Sequence, residues 1–414
     1  MLQKVSLGVR KCDRYRLIMS KDSIDQVEAL ARELRGLRLC YINSTPFGGG
    51  VAELLVSYIP LLRGLGLHAD WQIIRGDRDF FTITKALHNA LQGKPYPEIG
   101  SASTRSEYLR HNLANARELD INYDVFVVND PQPLALRRYA PENKAKWIWR
   151  CHVDSSEPDE EVWQFLRPFV EEYDAAIFTL DKFVPSDLRL EHIGIIAPAI
   201  DPFSSKNLML RRHTCRAWLE NLGIDKSRHM VVQVSRFDPW KDPFGVMEAY
   251  RLAKRELPDL QLVFVGSFAH DDPEAWDIYA SIHEEANKDE DMWVFSNLTG
   301  VGSMEVNVFQ TAADVVVQKS LKEGFGLVVA EALWKGIPVV AGNAGGIPLQ
   351  MGGRLRDYLV NSVEECAQKM VYLLQNRELA EELGQEGQEH IRQGFLMPRL
   401  IRDELTLVKQ LLGC

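Results

Sequence analysis

Two glutamates and a glycine-rich turn lie close together in the stretch SLKEGFGLVVAE. Glu323 precedes the turn of Gly324, Phe325 and Gly326, and Glu331 follows it. Two carboxylates can act as acid and base on a glycosidic bond, or they can accept hydrogen bonds from hydroxyl groups. A hydrolytic pair must flank one bond at about 5–9.5 Å, which is difficult for two residues on one side of one domain. Recognition of an oxygen-rich ligand is therefore the favoured interpretation.

Two basic residues follow another predicted strand. Arg236 and Lys241 lie in VSRFDPWKD, at the position where a Rossmann-like domain binds a pyrophosphate. Arginine can engage phosphate through two parallel hydrogen bonds, and lysine adds a point charge. A solvated pair of loop cations is the alternative. The preferred hypothesis places both cations on a diphosphate, Glu323 on sugar hydroxyls and Glu331 on a ribose, so the predicted ligand is a nucleotide sugar.

A second group of polar and glycine residues lies in the first half of the chain. Gly48, Gly49 and Gly50 open a predicted helix, whose free N–H groups can face an anion or an oxygen-rich group. The motif is neither G-x-G-x-x-G nor a Walker A loop, so a plain glycine-rich turn is an equal alternative. Asp130 in VVNDPQP and His152 in WRCHVD each end a strand. Either residue alone is more often structural, but together they form a polar pair at one sheet edge.

Strand and helix patterns alternate twice along the chain. RLCYINS, YDVFVVND and KWIWRCH read as buried strands of a first domain, and HMVVQVSRF, LQLVFVGS and DVVVQKS as strands of a second. The predicted fold class is α/β, with two doubly wound Rossmann-like domains over residues 1–205 and 206–395. Ligands bind at the carboxyl ends of strands in such sheets, so two domains facing each other would form an interdomain cleft.

The composition excludes several classes of protein. The 414 residues include 46% hydrophobic and 26% charged residues, without an apolar run of the ~20 residues that span a membrane and without a secretory leader pattern. Six cysteines without a C-x-x-C pair argue against a zinc ribbon or a disulfide scaffold. The net charge of −10 argues against a nucleic-acid surface. We therefore expect a cytoplasmic protein without a metal site, a membrane partner or a nucleic-acid partner.

Taken together, the motifs resemble the GT-B retaining glycosyltransferases with an E-x7-E motif, the family-four type that includes sucrose, trehalose and glycogen synthases. The segments VNSTPFGGGVAE, NDPQP, WRCHVD, VSRFDPWKD, AHDDPE and KEGFGLVVAEALWKGIPVV look closest to its trehalose glycosyltransferring synthases. The similarity covers the chain from about residue 38 onward. One departure is residues 345–360, GGIPLQMGGRLRDYLV, where relatives carry a longer loop with a DG-x-x-G element.

This resemblance implies a role for each candidate residue of the second domain. Arg236 and Lys241 would neutralise the leaving diphosphate. Glu331 would bind the ribose, and Glu323 would contact the donor sugar. The backbone of SNLTGVG, residues 296–302, would hold the base.

The same resemblance assigns the first domain to the sugars. His152 and Asp130 would lie beside the transferred glucose, and the loop of Gly48 to Gly50 would line the cleft near the phosphates and the acceptor. A C-terminal helix at about 396–414 would pack back onto this domain.

The predicted reaction is retaining transfer of glucose from ADP- or UDP-glucose to free glucose, giving trehalose. The nucleotide sugar is a co-substrate, no cofactor is required, and stimulation by Mg²⁺ and formation of a homodimer are left open. A retaining trehalose phosphorylase and a trehalose-phosphate synthase are the enzymatic alternatives. The TPFGGGVAE loop carries no basic cluster for an acceptor phosphate, which weighs against the latter. A non-catalytic nucleotide-sugar sensor is the alternative from another class.

Overall fold

The computed structural model describes residues 2–268 and 274–413, which divide into two compact units. Unit 1 comprises residues 2–198 and 397–413, and unit 2 comprises residues 199–268 and 274–396. Most of the AHDDPE motif, residues 269–273, lies outside the described residues, as does Cys414.

Unit 1 contains a seven-stranded sheet in the order β1-β3-β2-β4-β5-β6-β7. Every neighbouring pair is parallel except β1 and β3, which are antiparallel. Continuous apolar runs such as VFVVN form its centre, because a parallel sheet with helices on both faces buries both faces of each strand. The strands are β1 (Gln3–Lys4), β2 (Arg38–Asn43), β3 (His68–Ile73), β4 (Val125–Asn129), β5 (Lys146–Arg150), β6 (Ala175–Phe178) and β7 (His192–Ile195).

Six helices of unit 1 connect or precede these strands. Ser20, Asp77 and Asp159 begin three of them, each accepting a hydrogen bond from a backbone N–H of the first turn. The helices are α1 (Lys21–Glu33), α2 (Gly50–Gly64), α3 (Arg78–Leu91), α4 (Ala102–Arg117), α5 (Leu136–Tyr139) and α6 (Glu160–Val170), with 3-10 turns at Asp13–Leu17, Pro97–Gly100 and Asp181–Phe183.

Unit 2 contains a six-stranded sheet, parallel throughout, in the order β10-β9-β8-β11-β12-β13. Both units therefore have doubly wound sheets, which confirms the predicted fold class. The strand order reverses between β8 and β11, the place where sheets of this kind bind ligands. The strands are β8 (Met230–Arg236), β9 (Gln261–Ser267), β10 (Met292–Ser296), β11 (Val315–Gln318), β12 (Val339–Gly342) and β13 (Leu359–Val360).

Eight helices belong to unit 2, and the GFG turn leads into one of them. The helices are α7 (Arg212–Leu219), α8 (Pro243–Glu256), α9 (Ala275–Ala286), α10 (Ser303–Ala312), α11 (Leu327–Trp334), α12 (Ile347–Gln350), α13 (Val363–Gln375) and α14 (Arg377–Gly394). The 3-10 turns are Glu220–Leu222, Pro239–Lys241, Asn297–Thr299 and Gly353–Tyr358.

The last helix, α15 (Met397–Leu412), belongs to unit 1 and packs against α1 and α2. Its Glu404 is fully buried and accepts a hydrogen bond from the Tyr41 hydroxyl at 2.5 Å. Arg150, at the end of β5, donates to the other oxygen of Glu404. The helix thus contributes the counter-charge of an arginine buried in the sheet.

The described residues include no helix that is both long enough and apolar enough to cross a membrane. The five described cysteines are buried free thiols.

Candidate active site

The end of β8 and the loop after it hold the two predicted phosphate ligands of unit 2. Arg236 is the last residue of the strand, and one of its guanidinium nitrogens lies 3.7 Å from Asp238 Oδ2. Asp238 is buried and also accepts a hydrogen bond from Trp240 N at 2.9 Å, so it anchors the 3-10 turn Pro239–Lys241. Both predicted cations therefore lie at the carboxyl edge of the sheet.

Lys241 and Glu323 form an ion pair, with 2.7 Å between Nζ and Oε2. Glu323 is only 8% exposed, and the Ser320 hydroxyl donates to the same carboxylate oxygen at 3.2 Å. The pair joins the loops that follow the adjacent strands β8 and β11. The structure thus brings one predicted phosphate ligand and the predicted sugar ligand into direct contact.

The GFG turn is fixed by close packing of its backbone. Gly326 has a left-handed φ of 85° and is the N-cap of α11. The residue opposite the turn, Gly345, has a φ of 51°, and a Cβ there would lie 1.5 Å from the Glu323 carbonyl oxygen. Phe325 is buried and packs against Phe395, while the carbonyl of Phe325 accepts from Gln350. The side chain of Phe325 therefore supports the turn, and Gly324 is likewise buried within it.

Glu331 lies one turn inside α11, because the helix begins at Leu327. Glu331 is 2% exposed, and its carboxylate has two polar partners. Lys206 Nζ lies 3.1 Å from Oε1, and Gln310 Nε2 donates to Oε2 at 3.3 Å. Sequence reasoning missed both partners. Lys206 falls in residues 197–210, APAIDPFSSKNLML, whose prolines, serines and asparagine are typical of a linker. A segment interpreted as a linker gives no reason to seek a buried lysine there.

In unit 1, Asp130 and His152 come together through the backbone. Asp130 Oδ1 accepts the His152 N–H at 2.8 Å, and Asp130 itself has a left-handed φ of 64°. The imidazole Nε2 lies 2.9 Å from Asn129 Oδ1, while Asn129 Nδ2 donates to the Ile42 carbonyl. This orientation of the amide makes Nε2 the protonated nitrogen of a neutral ring. Burial and the nearby Arg150 hold the pKa of His152 well below its usual range.

The three-glycine loop lies at the same sheet edge, because β2, β4 and β5 are neighbouring parallel strands. Gly48 has a φ of 82°, Gly49 is the N-cap of α2, and Gly50 is its first residue. A Cβ at Gly49 would meet nothing within 4 Å. The space beside Gly49 is therefore open within unit 1, at the first N–H groups of a fifteen-residue helix.

Two family models match the chain: "Trehalose synthase, N-terminal domain" over residues 41–185 and "Glycosyl transferases group 1" over residues 216–390. The trehalose synthase of Rubrobacter xylanophilus is 45% identical over 418 residues, covering 100% of both chains. The chain belongs to the trehalose synthase family. The trehalose synthase of Pyrococcus horikoshii is 40% identical to this chain, over 100% of this chain and 99% of its own length.

More distant relatives include trehalose phosphorylases. The phosphorylase of Grifola frondosa is 28% identical over 92% of this chain but only 58% of its own length. Membership of the trehalose synthase family confirms the predicted resemblance and makes the protein a glycosyltransferase.

Solved structures share the fold at low sequence identity. The sucrose-phosphate synthase of Thermosynechococcus elongatus aligns with a TM-score of 0.66 at 18% identity, over 91% of this chain and 99% of its own. The α,α-trehalose 6-phosphate synthase of Burkholderia multivorans aligns with a TM-score of 0.69 at 15% identity, over 91% and 98%. The protein therefore has the predicted GT-B type of fold.

One group of described side chains has the composition of a metal site. Asp77, Glu107 and His111 of unit 1 place one ligand atom each within 4.8 Å of the others. The Arg110 guanidinium contacts Glu107 and lies 2.9 Å from His111 Nε2 and 3.8 Å from Asp77. The positive charge of Arg110 thus already neutralises part of the group. These residues were not among the predicted site residues.

Proposed function

We propose that this member of the trehalose synthase family transfers glucose from a nucleoside-diphosphate glucose to free glucose, with retention, to form trehalose. The observation that carries the proposal is the Lys241–Glu323 pair, which lies at the same carboxyl edge of the unit 2 sheet as Arg236, the last residue of β8. A diphosphate can recruit Lys241 and Arg236, and the carboxylate released from Lys241 can accept hydrogen bonds from sugar hydroxyls. The trehalose synthases of the family support the assignment of the product.

In this reaction the bond between glucose C1 and the phosphate oxygen breaks, and a bond from C1 to the anomeric oxygen of the acceptor forms on the same face. The acceptor proton moves to the departing phosphate oxygen, so the diphosphate serves as leaving group and base. Negative charge grows on that diphosphate, and Arg236 and Lys241 lower the barrier by stabilising it. Glu331 accepts from the ribose through lone pairs not used by Lys206 and Gln310.

The proposal extends to the residues of unit 1, the roles of the two domains, the cofactor requirement and the cellular compartment. His152 and Asp130 lie beside the transferred glucose, and the loop of Gly48 to Gly50 lines the acceptor side. Residues 1–205 with 396–414 form the acceptor-side domain, and residues 206–395 form the domain that binds the nucleotide sugar. No cofactor is required beyond the nucleotide sugar, and the reaction takes place in the cytoplasm.

A donor and acceptor panel tests this function. The protein is incubated with ADP-glucose, UDP-glucose or glucose 1-phosphate, each with free glucose or glucose 6-phosphate, with and without Mg²⁺, and the products are identified. We expect trehalose from a nucleotide donor and free glucose. Trehalose formed from glucose 1-phosphate with release of orthophosphate identifies a phosphorylase. A product formed only when glucose 6-phosphate is the acceptor identifies a trehalose-phosphate synthase. Binding without turnover identifies a sensor.

Trehalose supplied alone separates recognition from hydrolysis at the two glutamates. The wild-type protein should release almost no glucose until a nucleoside diphosphate is added, which should allow reverse transfer to nucleotide-glucose. Glu323→Gln should weaken transfer by removing sugar contacts, while nucleotide binding partly survives through Arg236 and Glu331. Rapid hydrolysis of trehalose without nucleotide would make Glu323 and Glu331 an acid–base pair.

A further inference from the structure

Two lysine–carboxylate pairs cross between the same two loops of unit 2. Lys241 of the β8 loop pairs with Glu323 of the β11 loop, and Lys319 of the β11 loop pairs with Asp242 of the β8 loop. In the β8 loop, Lys241 and Asp242 are adjacent in the sequence. In the β11 loop, Lys319 and Glu323 are four residues apart. The first pair contains the proposed ligand groups. The second pair has no assigned role.

Asp242 occupies the left-handed region of backbone conformation, which glycine adopts most readily and which few other residues adopt. Its φ is 48° and its ψ is 53°, and besides Asp130 it is the only non-glycine residue with a positive φ in the described part of the chain. Its Oδ1 accepts the Gly245 N–H at 3.1 Å at the start of α8, and its Oδ2 contacts Lys319. A Cβ at Gly245 would lie 2.2 Å from Oδ2. Both carboxylate oxygens thus hold the strained residue in place.

The Lys319 ammonium is buried against this turn and contacts Asp242. Lys319 is 6% exposed and follows the last residue of β11. Two further hydrogen bonds hold the backbone of the turn: Leu321 N donates to the Trp240 carbonyl at 2.8 Å, and Gln233 Nε2 donates to the Lys241 carbonyl at 2.8 Å. None of these contacts uses the Lys241 ammonium, so they persist when that ammonium changes partner.

We propose that Lys319, through Asp242, is a positioning residue for Lys241. The identity of the ligand rests on the proposed function: when the diphosphate replaces Glu323 as the partner of Lys241, the Lys319–Asp242 pair keeps the turn 239–242 in register with the β11 loop. Lys241 then stays directed at the departing phosphate. Without Lys319, the left-handed Asp242 loses one of its two supports, and the Lys241 side chain moves away from that position.

The proposal is tested by combining Lys319→Met with Lys241→Ala. Lys319→Met alone should lower kcat about 10-fold or more, since small displacements of a catalytic group are costly, with a smaller change in the KM for glucose. In the Lys241→Ala background it should change kcat less than 2-fold, because the group through which it acts is absent. Equal losses in both backgrounds would overturn the proposal.

Three further variants separate positioning from loss of folding. Lys254→Met removes a lysine of α8 that pairs with Asp289 and Asp291, and it should leave kcat unchanged. Lys319→Arg keeps the charge and should recover most of the activity if Lys319→Met folds poorly. Asp242→Gly keeps the left-handed backbone without the carboxylate, so it should reproduce the Lys319→Met loss, and full activity in Asp242→Gly would contradict the proposed pathway.

A measurement without substrate distinguishes failure of this proposal from failure of the proposed function. Acylation of the Lys241 amine by acetic anhydride is followed by mass spectrometry in the wild type, Lys319→Met and Lys254→Met. We expect Lys241 to react several-fold faster in Lys319→Met only, because its contact with Glu323 loosens. Unchanged reactivity would reject the positioning role, even if nucleotide-dependent transfer were found. Faster reactivity in a protein without transferase activity would retain the role and reject the function.

Discussion

Lys206 Nζ lies 3.1 Å from Glu331 Oε1, and the two side chains are 11% and 3% exposed. The residue after Lys206 strengthens the same junction, because Asn207 accepts from Lys335 Nζ through Oδ1 at 3.0 Å and from Trp334 Nε1 through its carbonyl at 3.1 Å. The segment interpreted as a linker is therefore bound to α11 by buried polar contacts.

Glu331→Ala should raise the KM for the donor more than it lowers kcat, because a ribose contact is similar in the ground and transition states. The variant also leaves Lys206 buried without its carboxylate, and breaking such a pair costs about 3–5 kcal/mol. Steady-state kinetics and urea unfolding followed in unit 2 measure the two effects.

The double variant Lys206→Met with Glu331→Met separates these effects. Apolar replacement of both partners removes the buried charge and should recover much of the lost stability. The KM for the donor should stay high, since no ribose acceptor has been restored. A donor KM that recovers together with stability would reject Glu331 as a ribose ligand.

Arg236→Ala and Lys241→Ala should each lower kcat by on the order of 10²–10³, as expected for a contact to charge that develops in the transition state. The KM for glucose should change less. Lys241→Ala should also lower stability, because Glu323 loses its cation while remaining buried. Rapid-quench kinetics that find wild-type turnover in either variant would contradict the assignment.

His152 makes stability depend on pH near neutrality. Its pKa is lowered in the folded protein, so below the usual value of about 6.5 the unfolded chain binds a proton that the folded chain does not. The free energy of unfolding should then fall as pH falls from about 6.5, by up to about 1.4 kcal/mol per pH unit, until the folded pKa is reached. At higher pH the contribution of His152 is constant.

Urea unfolding of unit 1 between pH 5 and 7.5 measures this slope. His152→Asn should make the slope shallower than in the wild type, and His68→Gln, at an exposed strand position, is the matched histidine variant. An unchanged slope in His152→Asn would mean that other groups carry the pH dependence.

Glu404→Ala should destabilise unit 1 by about 3–5 kcal/mol, because it leaves Arg150 charged and buried. Lys409→Ala on the same helix is the control. It removes an exposed pair with Glu33 and should cost at most about 1 kcal/mol. Similar losses from the two variants in thermal unfolding would show that α15 contributes through packing and not through the buried pair.

The sequence predicts the sheets well, because their residues are apolar over whole strands. RLCYIN and VFVVN are β2 and β4 as expected, and the turn before Glu331 leads into α11. Once the strands are predicted, the residues at their carboxyl ends follow. These residues share one edge of a parallel sheet, where ligands bind. Edge strand β1 has only two residues, too few for any periodicity to indicate it.

Several buried ion pairs could not be predicted, because their two residues lie far apart in the sequence. Glu404 is 254 positions from Arg150, and Lys319 is 77 positions from Asp242. The residue types gave no help, since a lysine or glutamate is ordinarily exposed and only the folded chain shows which ones are buried in pairs.

The pairing of Arg150 with Glu404 has a consequence for synthesis of the protein. Arg150 leaves the ribosome 254 residues before its counter-charge, an interval of roughly 13–50 s at typical translation rates. During that interval the end of β5 carries a cation that the sheet cannot bury without cost, so the nascent sheet of unit 1 stays incompletely closed while unit 2 is being translated. Nascent chains stalled before residue 404 should therefore remain open to protease at β5, and the sheet should close only once α15 has emerged.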